Sequence, residues 1–253
     1  SDVCSSALRW GGKRTDLDMA KQIWLFLEKN LLRTDGTPTH RWRAGQRDDV
    51  HLLEDYAGLL QALVDLHQGT LEPVYLVRAT GLAEEMLKRF GDPQGGGLWS
   101  TADTSLIARM KDDYDGAEPS GNAVAALALT ELARLTDQPC WRKAAAEILE
   151  GLAERIRRLP QAVPHALMAF QRLSEPPARL ILAGEGWERL QATAGEVYRP
   201  DLLITRATEE HPSEFVRGLA RGAKKATAYL CEGESCQLPL RETKDLIRKL
   251  RRD

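Results

Sequence analysis

Two stretches of the chain gather side chains that could do chemistry. The first runs from Thr37-Pro-Thr-His-Arg-Trp-Arg43 to Glu54-Asp-Tyr56, and the second from Gly95-Gly-Gly-Leu-Trp-Ser-Thr101 to Lys111-Asp-Asp-Tyr-Asp-Gly-Ala-Glu-Pro-Ser-Gly-Asn122. They carry the carboxylates Glu54, Asp55, Asp115 and Glu118. Two carboxylates facing each other across a cleft can act as general acid and base in glycosyl chemistry, and Asp55 with Glu118 is the pair assigned that catalytic role. Trp42 and Trp99 could stack on a sugar face. Arg43, Arg109 and Lys111 could receive an anionic group or hold the acids ionised. Tyr56, Asp115 and Asn122 complete the set expected to orient substrate. The competing structural role is capping, because carboxylates favour helix N-termini for electrostatic reasons alone.

Other chemistries fit poorly. Gly95-Gly-Gly97 has no GK[ST] after it and reads as a turn, not a phosphate loop. His40 and His51 lack metal-ligand spacing with each other or with a cysteine, so no metal site is assigned. No cofactor motif is present, and none is expected. His67 and His165 read as structural. No G-x-S-x-G elbow appears. Cys231 and Cys236 flank Glu-Gly-Glu-Ser after an apolar run, a spacing that is neither C-x-x-C nor a zinc knuckle. They are redox candidates if the turn joins the sulfurs. The acids between them oppose thiolate formation, which favours a structural reading.

The elements that must position these residues come from a repeat with a period of 66. Pro73 aligns with Pro139, Tyr75 with Trp141, Ala79 with Ala145, Met86 with Leu152 and Phe90 with Ile156. Each unit reads as helix, short turn with Pro, helix, and such units bury their apolar faces by stacking. Helices are expected over residues 16–32, 53–67, 73–90, 121–135, 139–158 and 164–173, with Ser120 capping the fourth. Asp55 then aligns with Gly121 and Tyr56 with Asn122, so both loops should open at one mouth. After Pro176-Pro177 the pattern changes. Strands are expected over 179–183, 202–204 and 226–230, and helices over 187–197 and 241–251. The expected division is a helical hairpin domain, 1–178, and a small α/β subdomain, 179–253.

Composition sets outer limits. Lys plus Arg is 35 against 37 Asp plus Glu, a net charge of -2 in 253 residues, which argues against a dedicated nucleic-acid binder. The basic tail at 241–253 reads as a solvated helix face. No apolar run is long enough for a transmembrane helix, so no membrane role is expected. The first residues lack a signal-peptide core, and four cysteines are no disulfide scaffold, so the expected location is cytoplasmic. A targeting peptide removed upstream would escape this reading.

Leu53-Glu-Asp-Tyr-Ala57, Gly95-Gly-Gly97, Lys111 to Asn122, Ile181-Leu-Ala-Gly184, Tyr198-Arg-Pro200 and Ala228-Tyr-Leu-Cys231 through Cys236 together resemble the YyaL group of thioredoxin-domain-containing proteins, which includes the spermatogenesis-associated protein 20 of animals. The resemblance implies an N-terminal thioredoxin-like domain followed by an (α/α)6 toroid similar to those of N-acylglucosamine 2-epimerases and six-hairpin glycosidases. This chain matches only the C-terminal part, with the thioredoxin-like domain and the first hairpins absent. The expected fold class is therefore mainly α: a partial α/α toroid of helical hairpins with a small C-terminal α/β subdomain. The expected function is binding, with processing of an epimerase, isomerase or glycosidase kind, of a carbohydrate-like small molecule. The alternative is a non-catalytic interaction module associated with a thioredoxin-like partner. The helix at 16–32 carries an apolar stripe without a hairpin partner, so a homodimer or a missing N-terminal region is expected to complete the toroid.

Overall fold

The computed structural model describes residues 14–233 and 235–251. Its first part is built from helices: α1 (Arg14–Asn30), α2 (Leu53–Thr70), α3 (Pro73–Phe90), α4 (Gly121–Thr136), α5 (Pro139–Arg158) and α6 (Pro164–Ser174). Between α1 and α2 lies a small hairpin, β1 (Trp42–Arg43) and β2 (Gln46–Arg47). Its two turn residues, Ala44 and Gly45, both have positive φ, the geometry that two-residue hairpins favour.

α2 and α4 pack against each other at the centre, with α3 and α5 as their outer hairpin partners and α6 on the far side of α4. The sequence explains this layering. α4 buries residues on nearly all sides, among them Ala123, Ala125, Ala126, Ala128, Leu129 and Leu132. A helix apolar all round belongs inside, and its alanines let neighbours approach closely. α3 and α5 bury one stripe each, Tyr75, Leu76, Ala79, Met86 and Phe90 in the first and Trp141, Ala145, Ile148 and Leu152 in the second.

The repeat of 66 is a structural repeat. Leu71 and Asp137 close α2 and α4 in the left-handed conformation, with φ of 59° and 56°. Thr70 and Thr136 each hydrogen-bond a carbonyl one turn back at 2.7 Å, and Pro73 and Pro139 each open the following helix. Proline suits that first turn because its missing N–H has no partner there anyway.

The second part is a four-stranded sheet, in the order β4-β3-β5-β6. β3 (Ala178–Ala183) pairs parallel with β4 (Leu202–Arg206) and antiparallel with β5 (Thr227–Glu232), which turns back through β6 (Ser235–Cys236). Every residue of β3 is buried, as expected of a strand covered on both faces. α7 (Glu188–Gly195) and α9 (Thr243–Leu250) enclose one apolar cluster with Leu180, Leu182 and Leu202, and α8 (Glu214–Gly222) closes the other face through Val216 against Ile181. Leu71 enters the sheet's core and Leu203 enters the helical core, so the two parts interlock. No described helix is long and apolar enough to cross a membrane.

The expected helices and strands are present with ends shifted by a few residues. α8, β6 and the β1–β2 hairpin were not expected. α8 contains Gly218 and Gly222, which weaken its helical signal, and the other elements are two residues long.

Candidate functional site

The starts of α2 and α4 lie side by side. The Leu53 amide donates to the Ser100 carbonyl at 3.0 Å, the Ala102 amide donates to the His51 carbonyl at 3.2 Å, and Leu52 bridges to Thr101. Gly121 is the contact point. A Cβ there would lie 3.1 Å from Leu53 Cγ and 3.3 Å from the Glu54 amide nitrogen. Both long loops therefore emerge at one end, as the repeat requires.

Asp55 and His40 form a partly exposed ionisable pair at that end. Asp55 Oδ2 and His40 Nδ1 are 3.0 Å apart, with side chains 23% and 42% exposed. Burial raises the Asp55 carboxyl above its ordinary range, and the hydrogen bond from His40 partly offsets this. With Nδ1–H donated to the carboxylate, His40 presents Nε2 as an acceptor, and it has no partner among the described residues. That is the arrangement of an oriented general base.

The remaining residues divide into tethered and exposed. Asn122 is buried: its Oδ1 accepts the Leu98 amide at 2.7 Å, and its Nδ2 donates to the carbonyls of Leu98 and Asp112. Tyr56 is fully buried edge-on to Phe90, and its hydroxyl shares a 2.8 Å hydrogen bond with His51 Nδ1. Burial pushes the Tyr56 phenol up and the His51 imidazole down. Asp115 accepts the amides of Ser120 at 2.9 Å and His165 at 2.8 Å, a capping role. Lys111 holds Asp92 and the Gly95 carbonyl, each at 2.6 Å, and lies over Trp99 with Arg109, which also donates to the Thr101 carbonyl. Trp42, Arg43, Glu54 and Glu118 are exposed, and Trp42 meets the edge of Phe26.

The structure thus brings Asp55 and His40 together and commits Asn122, Tyr56, Asp115, Lys111, Arg109 and Trp99 to holding the loops. The glycine run belongs to the same scaffold. Gly95, Gly96 and Gly97 all have positive φ and lie on α5, where a Cβ on Gly151 would fall 2.4 Å from the Gly96 backbone. Concavities of about 320 Å³ beside Trp24, Thr37 and Arg78, and about 170 Å³ beneath the glycine run, are lined by residues other than Asp55 and Glu118. His40 was not singled out as a site residue from the sequence. It lies fifteen positions before Asp55, across the β1–β2 hairpin, and no periodic signal links a loop histidine to a helix.

Cys231 and Cys236 are joined in a disulfide across β5 and β6, with Cys231 buried and Cys236 exposed. No group of three or more His, Cys, Asp or Glu among the described residues could hold a metal ion.

These features define a class: a mainly α protein of paired helical hairpins, with a loop-lined end and an α/β subdomain docked at the other. Over most of its length the chain is similar to spermatogenesis-associated protein 20 of mammals. It is 33% identical to spermatogenesis-associated protein 20 of Homo sapiens over 211 residues, and 32% identical to that of Rattus norvegicus over 211. Each match covers 78% of this chain and 27% of the relative, so the chain spans about a quarter of their length. No family model matches. Among solved structures, cellobiose 2-epimerase from Spirochaeta thermophila covers 62% of this chain and 42% of its own, at 18% identity and a TM-score of 0.44.

Proposed function

We propose that the loop-bearing end binds a carbohydrate-like small molecule and that Asp55 and His40 move a proton on it, as in an epimerase or isomerase. The observation that carries this reading is the 3.0 Å contact between His40 Nδ1 and Asp55 Oδ2. A half-exposed imidazole is oriented by a carboxylate, and its other ring nitrogen has no partner among the described residues. Trp42 supplies an aromatic face beside it in the chain, and Arg43 and Glu54 supply hydrogen-bonding groups for hydroxyls. Glu118, exposed on the neighbouring loop, serves as the second acid. A screen of free sugars and sugar acids for binding, followed by a turnover assay on each hit, tests the proposal. Binding lost in Asp55→Asn supports it, and silence across the panel overturns it.

A second reading, a protein-interaction module, has its own observation. Leu106, Ile107, Met110 and Tyr114 on the second loop are exposed, as are Met19, Ile23 and Phe26 on α1. Exposed apolar groups this numerous favour a protein partner. A second copy is the simplest occupant for the α1 face, and concentration-dependent light scattering tests it. Self-association reversed by Ile23→Lys with Phe26→Ser supports this reading. A monomer at high concentration counts against it.

A further inference from the structure

Cys231 and Cys236 stand directly opposite each other in the antiparallel β5–β6 register, and their disulfide staples the turn between them. The two cysteines have different surroundings. Cys231 is 2% exposed and clusters with Ile181, Ala183, Ala207 and Val216. Cys236 is exposed and lies on β6, the last strand of the sheet, with no described strand beyond it. A disulfide that only stabilises a fold resists thiols, whereas one exposed at an edge is open to exchange.

The disulfide is not alone in holding this edge. The Gln237 amide donates to the Leu230 carbonyl at 2.8 Å, and Ala228 and Leu240 exchange hydrogen bonds at 2.8 and 2.9 Å. In the turn itself, Gly233 has the positive φ that favours glycine, and its amide donates to the Pro177 carbonyl at 2.9 Å. None of these bonds involves sulfur, so the edge keeps its register when the S–S bond is cut. The two thiols then remain opposite each other, and a ring this small costs little chain entropy to close again. Cleavage is therefore reversible without refolding.

We propose that the β5–β6 turn is a thiol–disulfide exchange site whose reductant is a dithiol. One thiolate of the dithiol attacks Cys236 Sγ, the bond to Cys231 Sγ breaks, and Cys231 leaves with the electron pair and takes up a proton. The second thiol of the reductant then attacks the reductant's own first sulfur in the mixed disulfide and releases Cys236 as a thiol. Two electrons and two protons pass to the cysteine pair, and the dithiol ends as a disulfide. The register disfavours a monothiol. In its mixed disulfide Cys231 stands opposite Cys236 and expels the incoming group before a second molecule arrives, whereas a dithiol carries its second sulfur with it. The site lies in the α/β part and does not depend on the function proposed for the Asp55 end.

The test compares reduction of the folded chain by dithiothreitol with reduction of the same chain in concentrated urea. Samples are quenched at intervals with N-ethylmaleimide under denaturing conditions, and the peptides holding Cys231 and Cys236 are weighed; the exposed free thiol of Cys140 reports complete labelling. The folded chain should be reduced within about tenfold of the rate in urea, with its far-ultraviolet circular dichroism unchanged, because no global unfolding is needed. A disulfide shielded by the fold would react on the order of a thousandfold more slowly, through the unfolded state. Reduced glutathione at the same thiol concentration should give at least about tenfold less reduced protein, and its adduct should sit on Cys236. Reduction confined to urea, reduction that unfolds the chain, equal reduction by glutathione, or an adduct on Cys231 alone would each overturn the proposal and leave the disulfide a structural staple.

Discussion

Asn122 treats Leu98 as a neighbouring strand would. It accepts the Leu98 amide at 2.7 Å and donates to the Leu98 carbonyl at 2.9 Å, from the first turn of α4 across to the second loop. The side chain therefore ties the glycine-rich loop to the central helix. Asn122→Ala leaves the buried Leu98 amide unsatisfied and should cost about 1–3 kcal/mol in urea unfolding. Asn122→Asp should cost at least as much, because a carboxylate would face the carbonyls of Leu98 and Asp112. An unchanged urea midpoint in both variants would contradict this role.

His67 of α2 and His211 of the α/β part share the hydroxyl of Thr205, at 2.9 Å from each Nε2. The chain of bonds fixes every proton. His67 Nδ1–H donates to the Glu72 carbonyl, Thr205 donates to His67, His211 Nε2–H donates to Thr205, and the Ser213 amide donates to His211 Nδ1. A further proton on either ring has no acceptor. Burial pushes His67 down to about 4 and His211 to about 3, from an ordinary 6.5. Below pH 6.5 the unfolded chain takes up protons that the fold refuses. Their stabilising contribution is complete above pH 6.5 and falls by about 1.4 kcal/mol per pH unit per histidine down to about pH 4. Urea midpoints at pH 7.5 and 5.0 should show the loss, and a variant with both histidines changed to Gln should show a shallower slope. Equal midpoints for the wild type would refute it.

The Cys231–Cys236 disulfide closes a short loop, with a sequence separation of five. Loop-closure entropy for so small a ring is worth about 2 kcal/mol. Replacing both cysteines with Ser should lower stability by about that amount and leave binding at the Asp55 end unchanged. Loss of sugar binding in a folded double variant would show that the pair is coupled to the loops.

The hairpins were legible in the sequence because their periodicity, their turn prolines and the repeat agree. Pro73 and Pro139 mark the helix starts, and Leu71 and Asp137 fall in the left-handed conformation at matching places without being glycine. The loops were legible as a meeting point but not in their internal wiring. Lys111, Asp115 and Asn122 are types suited equally to substrate and to backbone, and only three-dimensional proximity shows that backbone groups take them. His40 and Asp55 face each other through loop geometry that no spacing rule encodes.

The central claim is that the Asp55–His40 pair forms a ligand site. Its most direct test is calorimetric titration of the best sugar from the screen into the wild type, Asp55→Asn and His40→Ala at pH 7.5. Charged hydrogen bonds of this kind are worth about 1.5–3 kcal/mol, so each variant should bind roughly 10- to 100-fold more weakly while keeping its free energy of unfolding in urea within about 1 kcal/mol of wild type. Affinity for that sugar unchanged in both folded variants would contradict the claim.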